Sequence, residues 1–163
     1  MKFIVQPLGY LGIFLMVVVF SGSPLSNGSL LAASCEFVAQ ELSGKLQPKI
    51  DEAELVDILR SLNRTGNRYL PSKFVTKQEA RAAGWRPGQS LWAAGELRGK
   101  SLGGDRFGNY EKKLPNGRRK WREADLDYQG GHRGPKRLIF STDGLRVVTV
   151  DHYQTFREVP ACR

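Results

Sequence analysis

Asp143-Gly144, set between residues 136–141 and 145–151, constrains this chain more than any other feature. Both flanking runs are rich in Leu, Ile, Val and Phe, which suit the half-buried surface of a sheet. Asp-Gly at the centre of a two-residue loop is a strong hairpin signal. Such a loop sets Thr142 opposite Leu145, Phe140 opposite Val147 and Arg137 opposite Val150. His152, two residues beyond Val150, then shares a face with Arg137, because faces repeat every second residue. Upstream, residues 121–128 alternate: Ala124, Leu126 and Tyr128 face a core, and Trp121, Glu123, Asp125 and Asp127 lie opposite. Gln129-Gly130-Gly131 ends that run. The register of Glu123 against Arg137 and His152 is not fixed by these residues. Three neighbouring strands after helical segments predict an α+β fold, with N-terminal helices packed on a twisted antiparallel sheet.

The helical segments have their own signals. Residues 51–62 carry an apolar stripe of Leu55, Val56, Ile58, Leu59 and Leu62. Asp51, Glu52 and Glu54 stand at the end where the helix dipole favours anions. Residues 63–67, with Gly66, end it. Thr76-Lys77-Gln78-Glu79 is a capping-box pattern and predicts a helix running to about Ala83 and stopping at Gly84. Lys77, its first residue, sets an ammonium beside unsatisfied amides; the pair can meet an anion, or the lysine can simply be solvated. Residues 36–50 read as a linker or a short helix. Residues 88–94 read as a short helix carrying Trp92, with Trp85 and Trp92 as core aromatics. Residues 101–114, SLGGDRFGNYEKKL, read as a loop. Its glycines permit unusual backbone angles that turn consecutive N–H groups toward a ligand.

The chain has 163 residues and a formal charge of +9. That length allows one domain and a processed leader, and the basic balance favours a polyanion: nucleic acid, an anionic membrane or an acidic protein. Residues 10–20 form an apolar run too short to span a bilayer, preceded by Lys2 and followed by small residues, the pattern of a secretory signal peptide over residues 1–34. Lys2 is the only charge in that stretch, so its removal leaves +8. Ala32-Ala33-Ser34-Cys35 also carries a weaker resemblance to a lipoprotein box, which would lipidate Cys35. Cys35 and Cys162 are the only cysteines. An even count in an exported chain predicts one disulfide, with two free or intermolecular thiols as the alternative. Two distant cysteines and two histidines give no metal-ligand spacing.

WREADLDY at residues 121–128, a Gly-rich turn with Arg133 and Arg137, and DHYQTF at residues 151–156 resemble the barnase family of secreted bacterial guanyl-preferring ribonucleases. PSKFVTKQEARAAGW at residues 71–85 resembles the family segment in which a first-turn lysine serves catalysis. The resemblance runs from about Asp51 to Glu158, leaving residues 35–50 as an N-terminal extension of a ribonuclease domain at 51–163. It implies the microbial ribonuclease fold and an extracellular, monomeric endoribonuclease without metal or cofactor or stable membrane association. RNA is the implied partner, with a barstar-like acidic protein as inhibitor. The family pattern lacks the Cys35, Cys162 pair.

The chemistry fits the residues. RNA supplies its own nucleophile, the 2′-OH, so cleavage needs a base for that proton, an acid for the 5′-oxygen and cations for the phosphate. The resemblance assigns Glu123 as general base and His152 as general acid for cyclisation to a 2′,3′-cyclic phosphate, their roles exchanging when water opens it to a 3′-phosphate. Arg133, Arg137 and Lys77 hold the phosphate, and Tyr153 orients the site or contacts substrate. Phe107, Gly108, Asn109, Tyr110 and Glu111 form the guanine subsite: backbone amides and one carboxylate complement the O6, N1–H and N2–H edge of guanine. Gly108 stands where the family more usually has Ser, and Tyr110 where it has Arg. Asp105 is read as a structural partner of Lys77 or of the loop. His132, beside Arg133, is a subsite contact at most. A catalytically silent RNA-binding module and a nuclease used as an interbacterial toxin are the rival readings.

Overall fold

The structure is a computed structural model and describes residues 32–115, 117 and 119–163. The predicted leader lies almost wholly outside the described residues. Among these, no helix is long and apolar enough to cross a membrane.

Two helices come first. α1 (Cys35–Gly44) resolves the ambiguity of residues 36–50 in favour of a helix, capped by the Ser34 hydroxyl, which accepts from the Phe37 amide. α2 (Glu52–Arg64) starts where Asp51 accepts from the Glu54 amide. Its stripe Leu55, Val56, Ile58, Leu59 and Leu62 is buried as expected, and each such side chain contributes about 1.5–3 kcal/mol relative to exposure. Cys35, Val38, Ala39 and Leu42 of α1 join the same buried cluster. α3 (Lys77–Ala82) carries both halves of the capping box, Thr76 to the Glu79 amide and Glu79 back to the Thr76 amide. Short 3-10 turns follow at Leu91–Ala93 and Gly95–Leu97. Trp85 is buried there and Trp92 partly so.

The strands are β1 (Phe74–Val75), β2 (Ser101–Arg106), β3 (Trp121–Asp125), β4 (Arg137–Ser141), β5 (Arg146–Thr149) and β6 (Arg157–Glu158), in one sheet in that order. Every pairing is antiparallel except β1 with β2. The α+β architecture is therefore as expected. One face, with Leu138, Phe140 and Val148, shares a core with α1 and α2. The other gathers Trp121 and Ile139 with Phe107, Val147, Tyr153 and Phe156. Glu123 pairs with Ile139, so it lies on this second face, away from α1 and α2.

Two expectations are corrected. The first half of the 101–114 loop is strand β2, with a bulge between Gly103 and Asp105. A Cβ on Gly103 would come within 2.6 Å of Phe74 and 2.8 Å of Leu70, so glycine there is a packing requirement and not a loop signal. The hairpin register is also shifted by one. Phe140 pairs with Arg146 and Arg137 with Thr149, not with Val147 and Val150. The loop has three residues, 142–144, closed by the Ser141 amide donating to the Leu145 carbonyl, with Gly144 at φ 101°. That is the longer hairpin loop in which the last residue takes the left-handed conformation. Ser141 holds it, its hydroxyl bonding Asp143 and accepting from the Leu145 amide, while Arg119 pairs with Asp143.

Candidate active site

Glu123 sits in the middle of β3 with its side chain 10% exposed. Lys77 Nζ donates to Oε1 at 2.8 Å and the Tyr153 hydroxyl to Oε2 at 2.7 Å. Burial pushes this carboxyl up, but the hydrogen bonds from Lys77 and Tyr153 and the charges of Lys77 and Arg133 outweigh it, leaving it below the ordinary glutamate value. Glu123 is thus an anion at neutral pH. The Tyr153 phenol moves the other way, pushed up to about 12 by burial and by its bond to that carboxylate. It stays a donor at any physiological pH.

Lys77 reaches Glu123 because α3 is pinned to β2. Its own amide donates to Asp105 Oδ2 at 2.8 Å, and Asp105 is the cross-strand partner of Glu123. Asp105 is therefore the partner of Lys77 through the main chain. This revises one expectation. The amides of Lys77 and Glu79 are already taken by Asp105 and Thr76, so any anion here meets the ammonium and not a set of open helix amides.

Asp125 holds the two arginines. Arg133 grips it with two bonds, at 2.6 and 2.7 Å. Arg137 Nε lies 2.9 Å from Asp125 Oδ1, the oxygen that Arg133 Nη2 also bonds, close enough for charge attraction but without hydrogen-bond alignment. The distance is the better guide to the energy, because the attraction between charges depends weakly on angle. Nη1 of Arg137 donates to the carbonyls of Gly134 and Lys136, and its guanidinium stands 5.9 Å over the Tyr153 ring. Sequence reasoning set Asp125 on the same face as Glu123 but gave it no role. The signal was present: a second acid two residues from the first, with two arginines downstream. Asp125→Asn keeps the shape and removes the charge, so it should destabilise the protein by about 1.5–3 kcal/mol, the range for hydrogen bonds to charged groups. Urea unfolding at neutral pH measures this; a loss under about 0.5 kcal/mol would show the carbonyls of Gly134 and Lys136 to be enough.

His152 is not on a strand. β5 ends at Thr149, and His152 and Tyr153 both take left-handed angles, φ 58° and 68°. Strand parity therefore cannot place it on a face shared with Arg137. The turn puts its exposed ring 5.4 Å from the Tyr153 ring, whose hydroxyl is on Glu123. Two non-glycine residues in this region cost on the order of 1 kcal/mol each. Asp151, another residue without a role in the sequence reading, stabilises the turn. It accepts from the amides of Gln154 and Thr155 and from the hydroxyls of Thr149 and Thr155. The bonds from Thr155 lead in holding its carboxyl down at about 2. A folded pKa below the unfolded value means stability that is complete above about pH 4 and is lost as pH falls toward 2. Asp151→Asn should flatten the stability curve in that window. Urea midpoints across the acid range test it; an unchanged slope would assign the acid sensitivity to other carboxylates.

Residues 107–111 wall a cleft of about 330 Å³ with Glu123, Tyr153 and Phe156. Phe107 packs on Tyr153 at 5.4 Å and on Phe156 at 6.5 Å. Asn109 takes φ 44° and ties the loop through both bonds of its amide to Leu114. Glu111 is exposed and paired with Lys113. The Tyr110 ring, 94% exposed, lies so close over Gly108 that a Cβ there would fall 2.2 Å from it. A serine at 108 would turn this exposed ring aside. His132 is exposed.

The structure brings Lys77, Glu123 and Tyr153 into direct contact, sets Arg133 and Arg137 on one carboxylate, and opens the 107–111 loop onto the same cleft. An ionised carboxylate in the cleft wall, with a lysine on it, two arginines on the neighbouring Asp125 and an imidazole against Tyr153, is a set suited to moving protons at a phosphodiester. Residues 60–160 match the sequence model of the ribonuclease family. A ribonuclease of Heyndrickxia coagulans is 44% identical over 93 residues, which is 56% of this chain and 84% of the relative. Ribonucleases of Bacillus intermedius and Bacillus pumilus are 44% identical over 93 residues, and there the match spans 57% of each relative's length. On fold, site and sequence together, the chain belongs to the barnase-type ribonuclease family, whose substrate is RNA.

Proposed function

We propose that this chain is an extracellular endoribonuclease that cleaves RNA after guanosine without a metal. The observation that carries this reading is the contact of Lys77 and Tyr153 with an ionised Glu123 in the wall of the 107–111 cleft. Guanine enters the cleft, its polar edge toward the loop amides and Glu111. The scissile phosphate lies over Glu123, within reach of Lys77, Arg133 and Arg137. Both Glu123 oxygens are engaged in the free protein. Substrate binding transfers the Lys77 ammonium to a phosphate oxygen, which frees Oε1 to take the 2′-OH proton. The 2′-oxygen attacks phosphorus, the bond to the 5′-oxygen breaks, and His152 protonates that oxygen. Water then opens the cyclic phosphate, with His152 as base and Glu123 as acid. Arg137, already committed to two carbonyls and Asp125, keeps its position as charge builds on the phosphate. A leader of signal-peptide type and a disulfide support export, and the positive charge suits an acidic barstar-like inhibitor.

The test is cleavage of GpN and ApN dinucleotides in EDTA by the mature protein. Cleavage after G should exceed cleavage after A by at least about 10²-fold, since unpaired buried polar groups penalise the wrong base. Glu111→Ala should lose most of that preference while cleavage after A changes little. Equal losses on both dinucleotides would remove Glu111 from base recognition, and dependence on an added divalent ion would overturn the metal-free mechanism.

A further inference from the structure

Arg106, Arg122, Phe140 and Arg146 are successive partners across β2, β3, β4 and β5. Directly opposite residues project from one face, so this row lies on the side of α1 and α2 and not on the side of Glu123. Phe140 and Arg146 are buried, and Arg146 donates to the side chains of Asn63 and Asn67. Arg106 and Arg122 are exposed, and neither side chain has a hydrogen-bond or ion-pair partner among the described residues. Like charges directly opposite in an antiparallel pair destabilise a sheet. The fold gains nothing from this pair, because both positions face water and tolerate any polar side chain.

The location says what the pair serves. Arg106 also lines the cleft that ends at Glu123. At this end β2 is a free edge, since β1 pairs only with Ser101 and Leu102. A strand leaving the cleft over Arg106 meets Arg122 next. We propose that Arg106 and Arg122 form a phosphate subsite for the RNA chain beyond the nucleotide held in the cleft, on the edge and rear of the sheet. The inference rests on the cleft being the base site. Two guanidiniums about 5 Å apart at their roots can grip one phosphate or two successive ones with charge-assisted bonds. An acidic protein offers the same charge, but the continuity of Arg106 with the cleft favours the substrate's own backbone.

Arg122→Gln tests this, because Arg122 lies across the sheet from Glu123. On a GpN dinucleotide, kcat/KM should not change. On a long single-stranded RNA with one guanosine, KM should rise about fivefold per phosphate released at about 0.1 M salt, with kcat unchanged. The slope of log(kcat/KM) against log[salt] should fall by about 0.7 per phosphate. Arg122→Lys should recover most of both. Arg122→Glu should raise Tm by pairing with Arg106 and weaken long-RNA cleavage further, which separates loss of the subsite from loss of fold. Unchanged long-RNA kinetics and salt slope in Arg122→Gln would overturn the subsite, as would equal losses on both substrates. Wild-type cleavage of both RNAs without preference for guanosine would overturn the base-site reading instead, and the salt slope of Arg122→Gln would still decide the subsite.

Discussion

Replacing His152 with alanine should lower kcat/KM for GpN cleavage by about 10⁴, at the upper end for a general acid. The 5′-alkoxide is a poor leaving group without a proton, and His152 is the imidazole set against the Tyr153 ring beside Glu123. Tyr153 cannot replace it, since its phenol is pushed up to about 12 and committed to Glu123. Glu123→Ala should cost less, about 10²–10³, because the histidine and the arginines still act on the phosphate. Opening of a 2′,3′-cyclic phosphate should suffer in both variants, with the roles exchanged. The wild-type pH profile should be a bell. Its acidic limb should fall below the usual glutamate range, because Lys77 and Tyr153 hold the Glu123 carboxyl down against its burial. That limb should vanish in Glu123→Ala and the alkaline limb in His152→Ala. Urea unfolding of each variant confirms that it is folded. A folded His152→Ala that cleaves GpN at the wild-type rate would sink the mechanism and make the left-handed turn purely structural.

How far the sequence carried this site depends on which physical rule governed each residue. Lys77 was legible because a capping box is local: Thr76 and Glu79 fix the helix start, and the lysine follows. Glu123 was legible by alternation along β3, although Ala124 on the opposite face is buried too and alternation showed only which residues share a face. His152 was not legible from the hairpin. An Asp-Gly pair admits a two-residue or a three-residue loop, and side-chain bonds of Ser141 and Arg119 with Asp143 accompany the longer one. The slip of one residue exchanges which side chains face each other. The parity argument for His152 therefore fails, while the family resemblance that assigns it a role does not depend on register. Asp125 and Asp151 were missed because their importance lies in partners brought in by tertiary structure. α1 was left open for the same reason. Its apolar residues are few, and its helix is held by burial against α2 and by the bond from Cys35.

That bond carries the second large effect. Cys35 and Cys162 form a disulfide across 127 positions, joining the start of α1 to the end of the chain. The chain-entropy model gives about 4–5 kcal/mol for a loop this long. Native strain commonly reduces such values, but here the two ends are also held by main-chain bonds: the Cys35 amide donates to the Arg163 carbonyl and the Arg163 amide to the Ala33 carbonyl. Asn63 on α2 adds a bond to the Cys162 carbonyl. The native ends therefore stay together when the sulfurs are replaced, and the cost falls mainly on the unfolded chain, which gains the freedom that the cross-link denied it. Cys35→Ser/Cys162→Ser should lose about 4 kcal/mol in urea and about 15 °C in Tm. Against a total of about 5–15 kcal/mol this is a large share, and the variant should approach marginal stability at 37 °C. Activity on GpN at low temperature should be nearly unchanged, since the bond lies with α1 and α2 and the cleft opens on the other face of the sheet. Intact mass with and without reductant and alkylation counts the thiols in the purified protein. Two alkylatable thiols without reductant, or a double variant as stable as the wild type, would show that the termini are held by the backbone bonds alone.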